Sequence, residues 1–179
     1  MRTFALLLLV GTVTAAAADP APPIRPGLWE SRPIETLMDG QPLPKAPPID
    51  LQQLPPQVRA QMQKQMQAQG IELGAGGSVK HCISADMLKR QDWGQAQGGC
   101  QISTQSHEGN TWRWQGRCQQ PPGQMQGSTR FNGDTAYLSE VKMTTQRGGK
   151  TQVMQSRVEA RWLGADCGAV RPLQPPKTP

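Results

Sequence analysis

Four cysteines, two histidines and a spread of methionines carry the reactive side chains of this sequence. Cys82, Cys100, Cys118 and Cys167 are even in number, and neighbouring cysteines are at least 18 residues apart. No C-x-x-C occurs, so the spacing fits neither a redox motif nor a zinc ribbon. An even set of this kind reads as two structural disulfides in an oxidising compartment. His81 adjoins Cys82, and His107 abuts a turn in "SHEGN". A Cys–His nucleophile needs an unpaired thiol, so neither histidine reads as catalytic. The glycines of "GAGG" lack the strand, lysine and hydroxyl that a phosphate loop requires. Thioethers offer a different chemistry. Met62 and Met66 stand one helical turn apart, and Met38, Met125, Met143 and Met154 add sulfur elsewhere. Soft sulfur ligands select Cu(I), so a periplasmic copper binder is an alternative reading; ordinary apolar packing also accounts for these methionines. The sequence therefore predicts no catalytic residue, no cofactor and no metal ligand. Trp29, Trp112, Trp114 and Trp162 are the candidates for a ligand or partner surface, against the plainer expectation that they fill the core.

The elements that must position these groups are mostly strands. "GLWESRPIETLM" (residues 27–38) reads as a strand in which Pro33 demands an edge or a bulge. Residues 41–54 form a proline-rich connector. "PPQVRAQMQKQMQAQ" (residues 55–69) has prolines at its start and Gly70 after its end, as a helix should. Its apolar stripe of Leu54, Val58, Met62 and Met66 is narrow, which predicts a peripheral helix. "VKHCIS" is a short strand, and Ser84 caps a short helix, "ADMLKRQ".

From Cys100 onward the spacing predicts a meander of hairpins. A three-residue loop at Glu108, Gly109 and Asn110 places Cys100 opposite Cys118, Thr104 opposite Trp114 and Ser106 opposite Trp112. The same loop length at Asn132-Gly133-Asp134 places Phe131 opposite Thr135. A two-residue turn at Gly148-Gly149 pairs Met143 with Met154, Val141 with Ser156 and Tyr137 with Ala160. The first hairpin favours a Cys100–Cys118 bridge among the three possible pairings, which leaves Cys82 for Cys167.

The first 18 residues show the order of a signal peptide: Arg2, an apolar run from Phe4 to Val10, then small residues. That run is too short to span a bilayer, which takes about 20 residues. Hydrophobic residues make up 36 % of the chain and aromatics 4 %, so the core must be modest and disulfides useful. The net charge of +6 is scattered and argues for solubility rather than nucleic-acid binding. Residues 19–26 and 169–179 are proline-rich and are expected to be disordered.

"PGLWE", the "PPQVRAQM" helix start, "KHCIS" before a short helix, "WQGRC" and the closing "RWLGADCG" together resemble the DUF3617 family, exported Gram-negative domains of unknown function. The resemblance spans Gly27 to Gly168. It implies a small disulfide-bonded periplasmic or secreted β-domain and supplies no catalytic residue. "CISAD" departs from the threonine–proline pair usual after the family's first cysteine.

The expectation is thus a single domain over residues 27–168. It is mainly β, an antiparallel meander or half-barrel with one peripheral and one short helix. Its role is that of a monomeric, non-catalytic module for an envelope partner or small apolar ligand, with no transmembrane segment. An uncharacterised enzyme is the remaining alternative.

Overall fold

A computed structural model describes residues 21–44, 53–74, 77–90, 100–119 and 122–172. Nine strands and two helices follow in chain order: β1 (Gly27–Met38), β2 (Gln41–Pro42), α1 (Pro56–Ala68), β3 (Ile71–Leu73), β4 (Val79–Ile83), α2 (Ala85–Arg90), β5 (Cys100–Glu108), β6 (Thr111–Gln119), β7 (Pro122–Asn132), β8 (Ala136–Arg147) and β9 (Lys150–Gly164). They form one open antiparallel sheet in the order β3-β4-β1-β9-β8-β7-β6-β5, with β2 added beside β1. The fold is mainly antiparallel β. The expected signal peptide lies outside the described residues.

β1 is interior rather than an edge strand, and Pro33 explains how that is possible. β4 pairs with β1 only from Gly27 to Ser31, and β2 only at Leu37 and Met38. Pro33 falls in the gap between them, where no ladder donor is needed on that side. On the other side a bulge between Pro33 and Glu35 absorbs the irregularity against β9. The bulge also explains the imperfect alternation of "GLWESRPIETLM".

The β8–β9 hairpin matches the expected register, whereas β5–β6 and β7–β8 depart from it near their turns. The β8–β9 register places Met143 opposite Met154, Val141 opposite Ser156 and Tyr137 opposite Ala160, around a turn at Gly148 and Gly149. Both glycines have positive φ, 58° and 75°, as a two-residue hairpin turn requires. In β5–β6, Cys100 faces Cys118 and Thr104 faces Trp114, but Ser106 faces Arg113 and His107 faces Trp112. The odd residue sits in a bulge between Thr104 and Ser106, and the turn shrinks to Gly109 and Asn110. In β7–β8, Phe131 faces Tyr137 rather than Thr135. That shift of two residues keeps every side chain on its expected face.

One end of one face holds the core: Ile24, Trp29, Ile83, Trp112, Phe131 and Ala160, with Leu88, Tyr137 and Trp162 against it. The rings of Trp112, Phe131, Tyr137 and Trp29 follow one another with centroids 5.8, 6.0 and 5.3 Å apart. Ala160, directly opposite Tyr137, is small enough for Trp29 to reach across β9. The segment expected to be disordered before β1 is instead packed from residue 22: Ile24 is buried, and Arg25 pairs with Asp134. Trp29 fixes it by donating its indole N–H to the Arg25 carbonyl, 2.9 Å away. The tail differs likewise, because Val170 is buried and Pro172 bridges Cys82. α2 begins with the Ser84 hydroxyl accepting from the Met87 amide at 3.2 Å and buries Met87. α1 buries no residue, and it touches β3 at the sheet's edge.

Candidate functional site

Side chains alternate between the two faces of the sheet, so the site question divides by face. The core face carries Trp29, Phe131 and Tyr137. The opposite face carries the charges. There Arg161 reaches Glu30 at 2.7 Å, Arg32 pairs with Glu159, and Arg157 stands 3.3 Å from Glu140. These are cross-strand pairs; Arg32–Glu159 and Arg157–Glu140 are solvent-exposed and contribute little each, whereas the Glu30 side chain is largely buried. The Ser78 hydroxyl, then Arg161, holds the Glu30 carboxyl below the ordinary carboxylate range. Both Glu30 oxygens are engaged, Oε1 by the Ser78 hydroxyl at 2.8 Å and Oε2 by the Arg161 guanidinium at 2.8 Å, so this is a structural network. Beyond it lies a polar groove of about 540 Å³, lined among others by Gln101, Gln115, Arg117, Gln124 and Lys142.

Both disulfides are present. Cys100–Cys118 has an S–S distance of 2.07 Å and staples the edge hairpin; Cys82–Cys167, at 2.03 Å, ties β4 to the segment after β9. None of the four thiols is left as a nucleophile. The two histidines are far from forming a shared site. His107 stacks on Trp112 with centroids 5.7 Å apart. His81 lies on β4 opposite Trp29, where burial pushes its pKa down to about 4. Among the described residues, no three His, Cys, Asp or Glu side chains gather as metal ligands.

The four candidate tryptophans do not form one surface. Trp29 is 0 % exposed and Trp112 6 %, so both belong to the core. Trp162 is half-buried, donates to the Pro26 carbonyl at 3.1 Å, and carries the Arg25 guanidinium 5.5 Å above its ring. Trp114 is also half-buried and donates to the Thr129 hydroxyl at 3.2 Å, which in turn lies 2.8 Å from that of Ser139. Its ring covers Gly127, where a Cβ would stand 2.7 Å from the indole.

What the structure brings together instead is the other end of the core face. Met125 faces Met143, Met143 faces Met154, and Met154 faces Met38. Directly paired residues project to the same face, so four thioethers on four consecutive strands form one transverse row. Ile102, opposite Gly116, extends it over β5. Val141 sits one position above, opposite Ser156. All four methionines are half-buried, and none of these core-face positions is charged. Met125 leans the other way, over Gly116 and onto the disulfide, with its sulfur 3.9 Å from Cys118 Sγ. Sequence reasoning had the Met143–Met154 pair from the hairpin register. It missed Met38, because that residue joins through a bulged pairing more than 100 positions away. Met62 and Met66 lie elsewhere, half-buried on α1.

A family model described as protein of unknown function (DUF3617) matches residues 24–167. The chain is 29 % identical over 125 residues to an uncharacterized protein in the lpd-3 5' region of Pseudomonas putida, covering 68 % of this chain and 82 % of that protein. No solved structure matches the chain.

Proposed function

We propose that this chain, which belongs to the DUF3617 family of proteins of unknown function, is a non-catalytic binding module of the cell envelope. Its contact surface is the half-buried methionine end of the core face. One observation carries the reading: the apolar row from Ile102 through Met125, Met143 and Met154 to Met38 is continuous across strands yet only half-buried. Contiguous apolar surface of this kind, rimmed by polar residues, marks ligand or partner contact. Methionine suits it, because a flexible thioether side chain repacks against different surfaces. Support for the non-catalytic part comes from the charged face, where the carboxylates serve cross-strand ion pairs. Support for the envelope comes from the two disulfides and from the leader-like first 18 residues. No helix among the described residues is long and apolar enough to cross a membrane. The module works as a monomer.

A photo-crosslinking amino acid placed at position 143, on the apolar row, tests the reading against one at position 126, on the opposite face. In cells, adducts are expected from 143 and not from 126. Equal yields from both, or none from 143, sink it.

A further inference from the structure

We propose that Met38, Met143 and Met154 form a binding site for a soft monovalent metal ion, Cu(I), over the centre of the methionine row. The register is the first observation. Met154 is flanked directly by Met143 on β8 and Met38 on β1. Neighbouring strands lie about 4.8 Å apart, and directly paired Cα atoms about 4.5–5.5 Å. A methionine side chain has three rotatable bonds, so the two outer sulfurs can lean toward the central one. A metal–sulfur bond of about 2.3 Å, as for zinc thiolates, needs sulfurs within about 4–4.6 Å of each other, less than one strand spacing.

The second observation is the chemistry around the row. Thioethers are soft and neutral, and they select Cu(I) over hard divalent ions, which demand oxygen ligands. The adjoining positions on this face are Thr36, Ser156 and Val141 on one side, and Thr145 and Gln152 on the other. None carries a charge, and the neighbouring Asp39 carboxylate is held by the Val153 amide N–H, which donates to it at 2.8 Å. The third observation is exposure: all three side chains are half-buried, so the sulfurs can be reached from solvent while their stems pack on the sheet. Met125 supports the site from the side. Its sulfur is engaged with the Cys100–Cys118 bridge, which leaves three ligands for a trigonal ion. Binding releases no proton, because a thioether has none to lose.

Leucine is the discriminating replacement, since it keeps the volume and apolar character and removes the sulfur. The oxidised, leader-free protein is titrated anaerobically with Cu(I) against a chromogenic Cu(I) chelator. One equivalent is expected to be withdrawn from the chelator. Met143→Leu with Met154→Leu is expected to weaken that binding at least tenfold with an unchanged unfolding midpoint, whereas Met62→Leu with Met66→Leu on α1 leaves it intact. No withdrawal by the wild type, or equal affinity in the Met143/Met154 variant, overturns the proposal. Met154→Leu alone removes a ligand and keeps the apolar surface, so crosslinking from position 143 in that background reports on the partner reading separately.

Discussion

His81 shows how one half-buried side chain sets a pH dependence for the whole fold. It sits on β4 between Ile71 of β3 and Trp29 of β1. Desolvation lowers its pKa from 6.5 to about 4, against a small opposing effect of the Val79 backbone. In the unfolded chain the imidazole regains its ordinary value. Between the two values the unfolded state binds a proton that the folded state refuses. Stability from this group is therefore full above pH 6.5 and is lost as pH falls toward 4. With a shift from 6.5 to about 4, the loss is at most about 3 kcal/mol, less whatever the ring's residual exposure restores. Urea unfolding midpoints measured from pH 7.5 down to 4 are expected to fall, and His81→Gln to flatten the slope. A wild-type midpoint constant across that range refutes the assignment. Trp29 shows the converse case, a residue whose role the sequence left open between core and surface. Its indole N–H, bound to Arg25, makes burial affordable for a polar ring atom, and its 0 % exposure settles the matter.

Among the elements, the two disulfides do different work. Cys100–Cys118 closes a loop of 18 residues between strands that already pair. Cys82–Cys167 spans 85 residues and joins β4, near one edge, to the segment that follows the central β9. Loop-closure entropy alone assigns about 3 kcal/mol to the short loop and about 4.5 kcal/mol to the long one. Replacing Cys82 and Cys167 with serine is expected to lower the unfolding midpoint more than replacing Cys100 and Cys118. Guanidinium melts of the two double variants check the order, and the reverse order refutes it. The hairpins show which part of an element is legible. Gly148-Gly149 marked its turn directly, because two adjacent glycines at positive φ permit a two-residue loop. The β5–β6 bulge was invisible, because moving one surplus residue from turn to strand leaves the cysteine pairing unchanged.

At the scale of the molecule, β9 is the spine. Its 15 residues pair with β1 on one side and β8 on the other, whereas β3, β5 and α1 lie at the margins. α1 has no fully buried residue and contributes none to the core, so its helical hydrogen bonds open without disturbing the core. Hydrogen exchange is expected to be slowest in the amides shared by β1, β9 and β8, and fastest in α1. Comparable protection of α1 and β9 contradicts this topology. Placing the core at one end also explains why an aromatic-poor chain folds at all. Four rings in edge-on and tilted contact fill that end with Ile83 and Leu88 packed against them, whereas the methionines at the other end are only half-buried.

Local and periodic features were legible in the residue order alone. These are the hairpin meander, the face on which the later side chains fall outside the β5–β6 bulge, the capped short helix and the peripheral long one. All depend on interactions a few residues apart or on alternation along a strand, which residue types encode directly. Three outcomes arise only in the assembled sheet: β1 is interior, the segments at residues 22–26 and 170–172 pack, and Met38 completes a thioether row begun by Met143 and Met154. Those outcomes join residues separated by scores of positions through a bulge, a proline gap and a disulfide. Backbone pairing over such distances is selected by the burial of the assembled sheet, not by any short stretch of chain.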